Sequence, residues 1–181
     1  MRAREVTAKR YAKALFAIAR EAGTTVAVGA ELEAFQHVVA SHPEVRDVLS
    51  RPLIKADDRR GIALAVAEKS GAGRAVRDFA ALVAERGRMD HLHEIVTAYR
   101  DLVDEDLGQA RAQVRSAVPL TSQDKDRLAT RLGGILGKRI LVEEHVDHSL
   151  LGGFVAQVGG FILDGSLDGQ LARMRERLAG R

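Results

Sequence analysis

Residues 107–119 read Leu107-Gly108-Gln109-Ala110-Arg111-Ala112-Gln113-Val114-Arg115-Ser116-Ala117-Val118-Pro119. Ala110, Ala112, Val114, Ser116 and Val118 occupy one parity, and Gln109, Arg111, Gln113 and Arg115 the other. Successive side chains alternate across a strand, so this stretch predicts a half-buried β-strand with a solvated face. Pro119 stops it, because proline has no N–H to give a ladder. Everything before Leu107 keeps a different period. The change from 3.6 to 2 therefore marks a boundary, with residues 1–107 on one side and 108–181 on the other.

Upstream, apolar residues recur at helical spacing between short interruptions. The first helix carries Ala8, Tyr11, Leu15 and Ile18, with Ala12, Phe16 and Ala19 as a second stripe, and Gly23 ends it. Leu32, Phe35, Val38 and Val39 mark the second, which stops before Pro43. Pro43 opens a short third with Val45, Val48 and Leu49, and Pro52 closes it. Ile62, Ala65 and Val66 give a fourth. Val76, Phe79, Ala80 and Val83 give a fifth, ending at Gly87. Met89, Leu92, Ile95, Val96, Tyr99, Leu102 and Val103 give the sixth, the most regular. Six helices with short connections predict an antiparallel bundle.

Downstream, Thr121-Ser122-Gln123-Asp124 supplies a cap for a helix with Leu128, Leu132, Ile135 and Leu136 on one side. Ile140, Val142 and Val146 outline a second strand. Residues 154–158 and 161–163 flank Gly159-Gly160 and read as a hairpin with a two-residue turn. Ser166 caps a last helix with Leu167, Leu171, Met174 and Leu178 as its buried side. The predicted fold is thus two-part: a helical bundle, then a small α/β domain with a short sheet and two helices.

Composition narrows function. The chain has 181 residues, 46% hydrophobic and 29% charged, which suits a globular protein. It has no cysteine, so disulfides, thiolate metal sites and cysteine nucleophiles are excluded. The N-terminal stretch lacks the apolar core of a signal peptide. The longest uncharged run, residues 149–163, is too short to span a bilayer as a helix. The formal net charge is +3 and aromatics make up 4%, without tryptophan. Binding of single-stranded nucleic acid needs a concentrated basic face with stacking rings, so that class is disfavoured.

No stretch assembles a reaction centre. His91 and His93 are two apart and point to different sides of a helix, which reads as two solvent-facing histidines around a buried Leu92. Asp147-His148-Ser149 is a polar loop, because triads are built from distant segments. Gly152-Gly153 and Gly159-Gly160 match neither a P-loop nor a dinucleotide fingerprint. Lys138-Arg139 reads as the solvated start of a strand. Asp57-Asp58 has no partner motif, and Glu143 and Glu144 fall on opposite faces of their strand, so they cannot act as an acid–base pair. The sequence predicts no catalytic, cofactor or metal site.

The first helix is unusual, since apolar or small residues cover most of its circumference. It is either buried all round or keeps one side for a partner helix. A small adaptor or regulatory protein with a ligand-sensing α/β domain fits the same outline, and a ligand would then raise its melting temperature.

Several stretches, in order, resemble one family. Arg10-Tyr11-Ala12-Lys13-Ala14-Leu15-Phe16 is similar to the opening helix of the delta subunit of bacterial F-type ATP synthase, the counterpart of the mitochondrial oligomycin-sensitivity-conferral protein. Glu85-Arg86-Gly87-Arg88-Met89 resembles its mid-chain signature, and Ser116-Ala117-Val118-Pro119-Leu120-Thr121 the start of its C-terminal domain. Val146-Asp147-His148-Ser149-Leu150-Leu151-Gly152-Gly153, then Gly159, Asp164-Gly165-Ser166-Leu167 and Leu171, is the strongest match. The chain departs at Gly160, where a polar turn residue is usual, and in lacking a tryptophan in its second helix.

The resemblance implies a non-catalytic stator connector, peripheral on the cytoplasmic face of the membrane. Its helical domain would grip N-terminal helical segments of the alpha subunits, and its C-terminal domain would meet the b-type stalk. Carried over by position, Tyr11, Ala14, Leu15 and Ile18 would line one wall of the alpha-subunit groove, and Val76, Phe79, Ala80 and Val83 the other; some of the eight must also face the bundle core, and the sequence does not divide them. For the stalk contact it points to Leu171, Arg173, Met174, Arg175, Arg177 and Leu178. No cofactor, nucleic acid or membrane insertion is implied.

Overall fold

The computed structural model describes residues 2–51 and 53–179. Among these residues there are eight α-helices, one 3-10 turn and four strands. Six helices come first: α1 (Arg2–Glu21), α2 (Thr25–Ser41), α3 (Pro43–Ser50), α4 (Ala56–Lys69), α5 (Arg74–Glu85) and α6 (Leu92–Asp106). The expected closure of α3 at Pro52 lies outside the described residues. The chain divides into two compact units, after Val103.

The first unit is built on one apolar core drawn from α1 to α6. Ala8, Ala12, Leu15 and Ala19 of α1 are at most 1% exposed, as are Leu32 and Phe35 of α2 and Ile95 of α6. Burying each large side chain contributes about 1.5–3 kcal/mol, and the alanines let helices approach closely. Tyr99 of α6 shows how polar groups are accommodated there. Its ring meets Phe16 edge-to-face at 5.9 Å, and its hydroxyl donates to the Thr25 carbonyl at 3.0 Å. Burial pushes the phenol up to about 12.

Two polar devices hold the connections of this unit. Arg59 of α4 donates from Nε to the Ala84 carbonyl at 3.0 Å and from Nη1 to the Ile54 carbonyl at 2.8 Å. One guanidinium thus ties Ile54, ahead of α4, to the end of α5, where the Ala84 carbonyl also accepts from the Gly87 N–H. Gly87 then turns the chain with φ +63°, and Arg88 N–H bonds back to the Val83 carbonyl.

The helical period expected to start at Met89 begins later. Met89–His91 form a 3-10 turn and α6 starts at Leu92. The tighter turn rotates His91 inward, so the expectation of two solvent-facing histidines holds for His93 only: His91 is 5% exposed.

In the second unit β1 (Gln109–Ser116) and β2 (Arg139–Val146) run parallel, joined through α7 (Ser122–Leu136). The hairpin β3 (Phe154–Val158) and β4 (Phe161–Asp164) adds antiparallel to the other side of β1, giving the order β2-β1-β3-β4. Gly159-Gly160 is its two-residue turn, with the positive φ (+55°) at Gly159. Thr121 caps α7 in a reciprocal box with Asp124. Leu128 and Leu132 pack on Ala112, Val114, Ile140, Ala156 and Val158. Ile135 departs from the expected stripe and is 56% exposed. Gly133 is the residue of α7 that abuts the Lys138 carbonyl, and at 100° per residue Ile135 points away from it.

The opposite sheet face carries Arg111. Its Nε donates to Asp104 Oδ2 at 2.6 Å and its Nη1 to Glu143 Oε1 at 2.8 Å. Burial acts to lower the guanidinium pKa, but the bonds and charges of both carboxylates outweigh it and hold it above the ordinary value. Asp104 lies in the last turn of α6 and is buried. That turn therefore belongs with the second unit, although the change of hydrophobic period comes at residues 107–108.

Four carboxyls of this unit sit below the usual range, each through bonds to its ionised form. Thr121 does this for Asp124, Lys125 and the Leu120 N–H for Glu144, Ser149 for Asp147, and Ser166 for Asp164. Lowered folded values mean stability that is present above the unfolded pKa, about 4, and lost as pH falls through the folded values. Amide resonances of the second unit should therefore collapse below about pH 4 while those of α2 to α5 persist. Simultaneous loss of both sets would contradict this.

Candidate partner-binding surfaces

The structure brings α1 and α5 together. Tyr11 and Phe79 meet edge-to-face with ring centroids 6.3 Å apart. Of the eight residues assigned to the groove, Leu15, Val76, Ala80 and Val83 are at most 1% exposed and Phe79 is 7% exposed. These five belong to the core of the first unit. Their stripe faces inward because α5 packs against α4, α1 and α2 on that side, and one face of a helix can be buried only once. Ala14 and Ile18 remain on the surface, Ile18 at 59%, with half-buried Tyr11 beside them. Sequence reasoning missed Val6 on α1 and Leu82 on α5, which are also exposed. Leu82 stands off the α5 core stripe, and that displacement was the available signal.

The second surface is α8 (Leu167–Ala179), which departs most from expectation. Its apolar stripe was predicted to be buried. Instead Leu167, Leu171, Met174 and Leu178 are 47, 46, 62 and 79% exposed. None of the described α8 side chains enters the core of the second unit, whose apolar sheet face is already covered by α7. Arg173 and Arg175 are exposed on the same helix; Arg177 lies in it, with its side chain outside the described residues.

What anchors α8 is its N-terminal end. Ser166 Oγ accepts from Gly169 N–H at 3.1 Å, and Asp164 Oδ1 accepts from Ser166 N–H at 2.9 Å. Leu167 N–H bonds to the Gly152 carbonyl at 2.9 Å and Leu151 N–H to Asp168 Oδ2 at 3.1 Å. Gly153 has φ +79°, and a Cβ there would strike the Gly165 carbonyl oxygen. The Asp147-to-Gly153 loop and the Asp164-to-Leu167 turn thus form one interlocked piece. Asp147 serves it too, accepting from Ser149 N–H and hydroxyl, with His148 exposed beside them.

Among the described residues no group of three or more His, Cys, Asp or Glu side chains could hold a metal ion, and no helix is long and apolar enough to cross a membrane. An open groove of about 470 Å³ lies between α2, α3 and the 3-10 turn. Its polar lining is Gln36, Arg46, Asp47, Ser50, Asp90 and His93.

Residues 7–178 match the family model described as ATP synthase delta (OSCP) subunit. The chain belongs to that family. It is 40% identical over 173 residues to ATP synthase subunit delta of Syntrophobacter fumaroxidans, covering 96% of this chain and 94% of that protein. It is 39% identical over 171 residues to the subunit of the same name from Anaeromyxobacter dehalogenans strain 2CP-C, covering 94% and 96%. In fold it is similar to a chain in the cryo-EM structure of the Toxoplasma gondii mitochondrial ATP synthase hexamer, with TM-score 0.74 and 18% identity over 95% of this chain and 97% of that one. Within this delta-family chain, the stretches that carried the resemblance have visible structural work. Residues 85–89 make the turn after α5, and residues 146–153 with 164–167 make the interlocked base of α8.

Proposed function

We propose that this chain is the stator connector of an F-type ATP synthase, peripheral to the cytoplasmic face of the membrane and without catalysis of its own. The match to the delta family over residues 7–178 carries this reading. Two separate apolar surfaces, one in each unit, support it. The six N-terminal helices act as an antiparallel bundle that receives a helical segment of an alpha subunit beside α1 and α5. The C-terminal unit meets the b-type stalk through α8. The rotor turns inside the head, so an untethered head would turn with it and ion flow would drive no synthesis.

Stripping the chain from native membranes should leave ATP hydrolysis by the head but abolish ATP-driven ion pumping, and the purified chain should restore pumping. Restoration without it would overturn the proposal. Ile18→Glu is a finer probe, because Ile18 is exposed and its change leaves the core intact. A buried charge opposite an apolar helix costs several kcal/mol, so affinity for an alpha-subunit N-terminal peptide should fall at least about tenfold with an unchanged melting temperature. Unchanged binding in titration calorimetry would remove this face from the contact.

A further inference from the structure

The exposed apolar residues of α8 follow one another at 167, 171, 174 and 178. Intervals of four, three and four residues are those of a coiled-coil seam, with Leu171 and Leu178 at a and Leu167 and Met174 at d. Leu167 closes the seam at the end held against Gly152. In this register Asp168 and Arg175 both fall at e, the flank whose charges set the orientation of a partner helix.

That pair is complementary to itself. Laying a second α8 antiparallel sets Leu171 against Met174 of the second copy and Leu167 against its Leu178. Asp168 then faces Arg175 of the second copy, and two-fold symmetry makes that ion pair twice. In a parallel arrangement Arg175 would meet Gln170 of the second copy, at the preceding g, and Asp168 would meet no basic side chain, so the charge complementarity is realised only in the antiparallel pair. We infer that the free chain pairs with a second copy of itself through antiparallel α8 helices. The seam is far shorter than the interface of a stable dimer, so a dissociation constant on the order of 100 µM is expected. The pairing occupies the surface proposed above for the stalk, so the two contacts exclude each other.

Sedimentation velocity of the full chain, from about 5 µM to about 1 mM, reads this directly. The weight-average mass should rise toward that of a dimer. Arg175→Glu and Asp168→Arg should each weaken association about tenfold by setting like charges opposite at both ends. An equimolar mixture of the two should recover it, because each variant complements the other. Met174→Glu, at an exposed seam position, should remove association without changing the melting temperature. A monomer at every concentration overturns the inference. So does Met174→Glu associating like the unsubstituted chain, whether or not Asp168→Arg folds. If both charge variants fold and their mixture fails to recover, the antiparallel register is overturned. None of these readouts uses membranes, so they stand apart from the coupling assay.

Discussion

Gly153→Ala is expected to destabilise the second unit by more than about 3 kcal/mol. Two effects combine at this position. A side chain at φ +79° costs about 1–2 kcal/mol by itself. In addition, the new Cβ runs into the Gly165 carbonyl oxygen and comes within 3.0 Å of Ser166 Cα, both backbone atoms. Backbone cannot step aside as a side-chain tip can, so the 164–167 turn must move, and with it the cap of α8. Gly159→Ala makes the comparison. Gly159 also has positive φ, +55°, but a Cβ there meets nothing within 4 Å, so only the conformational cost of about 1–2 kcal/mol remains. Urea unfolding followed by amide resonances of β1 and β3 would measure both. Equal effects at the two glycines would show that the interlock with residues 165–166 contributes nothing.

Asp104→Asn is expected to cost about 3 kcal/mol in the same unfolding experiment. Asp104 is 6% exposed and holds Arg111 through two bonds, at 2.6 and 3.3 Å. Removing its charge leaves a half-buried guanidinium with Glu143 as its remaining carboxylate among these contacts. Breaking one side of a buried pair is costly because the other charge stays desolvated. Glu143→Gln should cost less, since the Glu143 side chain is 35% exposed and water screens its contact. A smaller loss for Asp104→Asn than for Glu143→Gln would reverse this ranking and place the main support of Arg111 at β2.

Much of the architecture was legible because hydrophobic period reports directly on local geometry. The alternation across Ala110, Ala112 and Val114 became β1, and Thr121 with Asp124 became a capping box. The candidate surfaces were less legible. Val76, Ala80 and Val83 look the same in sequence whether they face a core or a groove, and here they face a core. His91 was misplaced because a helix and a 3-10 turn differ by only about 20° per residue, enough over three residues to move a side chain inward.

The sequence by itself determined which residues share a face, where the period changes, and which glycines and caps punctuate the chain. Those are consequences of backbone geometry and of side chains a few positions apart. Only the tertiary structure decided that β1 lies between β2 and β3, because alternation selects a face and not a neighbour. It alone decided that α7 covers the apolar side of that sheet while the equally periodic α8 is left bare. A stripe of leucines states that a helix can bury one side. Whether anything within the chain lies against that side depends on space already filled by other elements, and here α7 filled it.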